Sequence, residues 1–139
     1  MRKTLIGMTA LLVLSACGDR VETTLNATCM NVMKDPDIQR SVAEASITTE
    51  DYCACTSKQI LALPEAERDT AMSTFEMIET LMAEHNGSAE AAFAALSEAR
   101  RADDASPEAV AAYENMDQLG EQLEEYLDQM RAANGVCSV

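Results

Sequence analysis

The chain has 139 residues, with 24 acidic against 10 basic side chains and a formal net charge of −14. That balance repels nucleic-acid phosphates and anionic lipid headgroups, which excludes a nucleic-acid-binding role. One histidine leaves most hydrolytic mechanisms without a base, so no enzyme is expected, and the length fits one small domain.

Arg2 and Lys3 give the chain a positive start, and Leu5 to Leu14 form an apolar run. The run is too short for a lasting transmembrane helix, which needs about 20 apolar residues. A charged start, a short apolar stretch and small residues before a cut site describe a secretory leader. Its end, Leu14-Ser15-Ala16-Cys17, resembles the lipobox of bacterial lipoproteins. The resemblance implies a diacylglycerol thioether on Cys17, cleavage of residues 1–16, and an acylated, palmitate-type anchor in a lipid bilayer. It also implies an envelope protein facing the periplasm or cell surface. An aspartate directly after the cysteine favours the inner membrane; here Gly18 intervenes before Asp19, which points to the outer membrane ahead of the inner. The leader carries two basic residues and no acidic one, so the mature charge is −16.

Residues 17–24 read as a polar tether and residues 25–139 as a helical domain. A first helix is expected over about 22–34, with Leu25, Cys29 and Val32 or Met33 on one side. Asp35 and Pro36 form the start of a short second helix, as cap and first helical residue. Thr48 with Asp51 approximates a capping box for a third, and Ile47 is placed to staple onto Tyr52. On that helix Cys53 and Cys55 stand about 160° apart, which directs one inward and the other to a flank. Pro64 separates the third helix from a fourth, whose stripe is Ala71, Phe75, Ile78 and Met82 and whose stop is Asn86-Gly87. Ser88 caps a fifth helix with the stripe Ala89, Phe93 and Leu96. Ser106 and Pro107 open the last, over about 107–133, with Ala112, Met116, Leu119, Leu123, Tyr126 and Met130 at alternating spacings of four and three. The fold class is therefore all-α: a small bundle of five to six helices behind a cleaved leader.

Four cysteines remain after lipidation, and an even number in an exported chain points to disulfides. A Cys53–Cys55 ring is excluded because positions two apart on a helix point to different sides. The expected pairing is Cys29–Cys53 with Cys55–Cys137, ahead of the swapped alternative. Thiol–disulfide exchange is a rival role for "CAC", although that motif lacks the usual two-residue spacing and has Glu50 and Asp51 beside it. A second rival is copper handling through the thioethers of Met30 and Met33. Methionine is more often a core filler, and no cofactor is expected. The residues singled out for partner binding are Glu114, Asp117, Glu121, Glu125 and Asp128. Like charges three or four apart on a helix repel, and a basic protein partner relieves that repulsion. Gly120, on the flank of the stripe, leaves room for close helix approach. The expected role is a lipid-anchored protein-binding or structural module.

Overall fold

The computed structural model describes residues 15–138, with side chains from Arg20 onward. Residues 1–14 of the expected leader and the side chain of Cys17, the expected lipidation residue, lie outside that range. Six helices follow one another: α1 (Ser15–Val32), α2 (Pro36–Glu44), α3 (Thr49–Leu61), α4 (Glu65–Glu84), α5 (Ala89–Arg101) and α6 (Pro107–Ala132). No strand occurs among the described residues. Residues 17–24, expected to be a tether, are helical and lie within α1.

Side-chain caps set the starts. Asp35, Thr48, Ser88 and Ser106 each accept hydrogen bonds from backbone N–H groups in the first turn of the helix that follows. Thr48 Oγ1 also donates to Asp51 Oδ2 at 2.8 Å, so the cap and the third residue are tied reciprocally. Two helices stop in the left-handed conformation that asparagine and glycine tolerate. Asn86 and Gly87 have φ of 56° and 82°, and Asn134 and Gly135 have φ of 53° and 83°. The Gly87 and Gly135 N–H groups then return to the carbonyls of Met82 and Met130, at 2.6 and 2.8 Å.

The third helix is densely buried for its length. It packs against α1, α2, α4 and α6, and its Tyr52, Cys53, Cys55, Thr56, Ser57 and Ile60 are all buried. This corrects the expectation that one of its cysteines faces a flank: Cys53 is 0% exposed and Cys55 is 1% exposed. A helix with neighbours on opposite sides has no wet flank for the second sulfur. Disulfides join Cys29 to Cys53 and Cys55 to Cys137, so α1 and the chain end are fastened to opposite sides of α3. The fourth helix buries Ala71, Phe75, Ile78 and Met82 as its spacing requires, with Phe75 fully enclosed. The fifth is rotated from expectation. Ala92, Leu96 and Ser97 face inward, whereas Phe93 is 36% exposed, its ring 5.1 Å from that of Tyr113 on α6.

Two buried side chains tie distant helices together. Asp35 Oδ1 accepts from the N–H groups of Asp37 and Ile38 at 2.8 and 3.2 Å, and its Oδ2 accepts from Ala89 N–H at 2.8 Å. One buried carboxylate thus caps α2 and holds the start of α5. Tyr52 donates its hydroxyl to the carbonyl of Leu123 in α6 at 2.9 Å. Burial pushes this phenol up to about 12; the nearby Thr56 hydroxyl opposes the shift, and Tyr126 and Glu124 add to it. The folded state therefore prefers the protonated phenol. Its stabilising contribution is complete below the ordinary tyrosine pKa near 10 and is lost as pH rises through about 12. Tyr52→Phe should lower stability by about 1 kcal/mol at pH 7. It should also flatten the alkaline limb of the stability curve, measured by urea unfolding between pH 8 and 12.

Candidate partner-binding groove

The sixth helix sorts its side chains by chemistry around its circumference. The buried stripe carries Met116, Leu119, Tyr126 and Met130, with Ala112 and Leu123 partly buried beside it. On the flank toward α4 stand the uncharged amides Asn115, Gln118 and Gln122, opposite Glu67, Thr70 and Thr74. The opposite flank carries Asp117, Glu121 and Glu124. Amides beside the acidic start of α4 avoid like-charge contacts, and the carboxylates collect on the other side.

That acidic flank borders an apolar groove. The second helix has only nine residues and packs on α3, which leaves a gap between it and α6. Two adjoining hollows of about 270 and 240 Å³ fill this gap. Val32, Ile38, Gly120, Leu123 and Glu124 line both. Ile78, Ala89, Phe93 and Met116 extend the groove toward α5, with Asp117 and Glu121 on its rim. Met33, Val42, Tyr52 and Leu127 extend it the other way. The Asp35 tie to Ala89 positions α2 and α5 at one end, and the Tyr52 bond to Leu123 holds α6 in place along the wall.

The five residues expected to bind a partner divide into two groups. All five are exposed. Asp128 is paired with Arg131 at 2.7 Å, and Glu125 accepts from the Gln129 amide at 3.1 Å, both within α6. Asp117 and Glu121 belong to the groove rim, whereas Glu114 does not line it. No described cation pairs with Asp117, Glu121 or Glu124. Sequence reasoning missed Glu124 as the rim residue shared by both hollows, and missed Ile38 and Phe93 as apolar lining.

Gly120 has a specific place here. A glycine within a helix costs about 0.5–1 kcal/mol relative to alanine. The usual reasons for accepting that cost are absent. Its φ is not in the left-handed region, and a Cβ added to it would meet nothing within 4 Å. The expectation of close helix approach is therefore not met by any helix among the described residues. The open space above Gly120 is the groove.

Other chemistry finds less support. Among the described residues no three His, Cys, Asp or Glu side chains converge to hold a metal. Met33 is buried in the core and Met30 packs partly buried against it, so the structure does not set these thioethers together in an open site. All four cysteines of the domain are bridged. In the polar hollow between α4 and α6, the Thr70 and Thr74 hydroxyls are spent on carbonyls of their own helix at 2.9 and 2.7 Å. Compared with known proteins, the chain matches no protein-family model, no curated protein and no solved structure. The groove joins the acidic strip to a shaped apolar surface.

Proposed function

We propose that this chain is a lipid-anchored lipoprotein of the bacterial cell envelope that binds another protein through the acid-rimmed groove between α2 and α6. The lipobox residues Leu14 to Cys17 support the anchor. The two disulfides support an oxidising compartment, where such bridges persist. Protein binding rests on a single observation: the unpaired carboxylates of α6 lie along the rim of an apolar groove. Two or three acyl chains on Cys17 hold the domain to a bilayer almost permanently, since one chain alone anchors only marginally. The outer membrane is the favoured site, and the role is to hold a partner at the membrane surface.

The anchor is tested by fractionation and mass spectrometry of the protein expressed in a bacterial host. The wild type should sediment with membranes and carry the mass of a chain beginning at an acylated Cys17. Cys17→Ser should abolish the lipid mass. A wild-type protein that starts at Met1 without lipid overturns the anchor. Partner binding is tested by cross-linking in intact envelopes from a photoreactive residue placed at position 121. A discrete cross-linked protein is expected; cross-linking only to lipid or to nothing overturns the binding reading.

A further inference from the structure

We infer that the occupant of the groove is an amphipathic helix of the partner, with an apolar stripe flanked by lysine or arginine. This rests on the protein-binding reading above and names the partner's chemistry. Three observations on the groove converge. Its floor is aliphatic, made by Val32, Ile38, Met116 and Leu123, which suits a stripe of leucine-like side chains rather than an extended polar strand. Its rim is acidic, with Asp117, Glu121 and Glu124 facing no described cation, so the flanks of the occupant are basic. Gly120 stands between the two hollows with nothing above it, where a second backbone can approach α6 closely. Helix against helix is the arrangement in which a single glycine shortens the separation along a wall otherwise built of side chains. The wall runs from Met116 to Leu127, about 18 Å of helix, so roughly twelve residues of the occupant are engaged. A second copy of this chain fits poorly, because its own surface carries the same net negative charge.

The test uses the chain from residue 17 onward with Cys17→Ser, exported behind a conventional leader so that both disulfides form. The probes are fluorescent peptides of leucine and lysine, 18 residues long. One has leucines at helical spacings of three and four; one has the same composition scrambled; one has glutamate in place of lysine. In fluorescence anisotropy at physiological salt, the striped lysine peptide should bind at least tenfold more tightly than either comparator. Gly120→Leu should weaken it at least tenfold while leaving the melting temperature no lower. Changing Asp117, Glu121 and Glu124 together to lysine should weaken it similarly. The same charge change at exposed Glu44, Glu76 and Glu84, away from the groove, should have little effect. Equal binding of striped and scrambled peptides, indifference to Gly120→Leu, or equal loss from both charge reversals overturns the inference. So does a dimer of the wild type that Gly120→Leu converts to monomer, which would make the occupant a second copy. If the peptides fail but envelope cross-linking from position 121 still captures one protein, with or without Gly120→Leu, the helix inference falls and the protein-binding reading stands.

Discussion

Replacing Cys55 and Cys137 together by alanine should lower the free energy of unfolding by about 4 kcal/mol, and replacing Cys29 and Cys53 by a comparable amount. The bridges span sequence separations of 82 and 24 residues. Chain entropy alone gives roughly 4.5 and 3.5 kcal/mol for loops of those sizes. The order is narrowed by burial, because Cys29 and Cys53 are both fully enclosed and their replacement also leaves a cavity in the core. The two closed loops share no residue, so the losses should add, and the chain with all four replaced should be largely unfolded at 37 °C. Chemical denaturation of each double variant and of the quadruple one checks this. A quadruple variant that melts as the wild type does would show that the helices suffice without their bridges. Mild reductant should open Cys55–Cys137 first, since Cys137 is the only partly exposed member of the four.

The second large effect belongs to Asp35. Its carboxylate is 5% exposed, and burial by itself would raise its pKa. The N–H groups of Ala89, Ile38 and Asp37 outweigh that and hold the group below the usual carboxylate range. Asp35→Ala strips the cap from α2 and leaves the first N–H of α5 unpartnered. The expected loss is about 3 kcal/mol, or about 10 °C in melting temperature for a domain of this size. Asp35→Asn keeps one acceptor oxygen and turns an N–H donor toward another donor, so about half the loss should remain. The sign of the pH dependence follows from the depressed pKa. The stabilisation is complete above the unfolded-state pKa near 4 and disappears as pH falls through the lower folded value. The difference between wild type and Asp35→Ala should therefore be largest near neutrality and shrink below pH 4, as read from urea midpoints across that range. A deficit that does not change with pH would mean that the alanine variant loses packing rather than a charged acceptor.

What could be read in the sequence was mostly local. Pro36, Pro107, the four capping side chains and the Asn-Gly stops at positions 86 and 134 mark helix ends by chemistry confined to a few residues. The stripes of α4 and α6 were legible because each helix has one dry side. The features that were not legible depend on neighbours distant in sequence. The third helix buries Thr56 and Ser57 as well as Tyr52, Ile60 and both cysteines, a dry arc wider than one stripe, which blurs any periodic pattern. The size and spacing of Phe93 point it to the core, yet the smaller Ala92 allows α5 to approach its neighbours, and Phe93 is left at the edge. Asp35 was readable as a cap for α2, but its bond to Ala89 spans 54 residues. The groove was the least legible feature of all. It exists because the nine-residue α2 reaches α3 and stops short of α6, and no single segment records that gap. The acidic strip was visible as a pattern; which of its members face an apolar hollow was not.

The pattern of bridging also shapes how the protein endures damage. Residues 29–53 and 55–137 form a covalent figure-of-eight crossed at Ala54. If a protease hydrolyses a peptide bond in either ring, for example in the stretch 102–106 between α5 and α6, both halves remain joined through sulfur. Within residues 29–137, only a cut beside Ala54, or two cuts in the same ring, sheds a fragment. A nicked molecule thus stays whole and keeps its helices at high local concentration, able to close again around the same core.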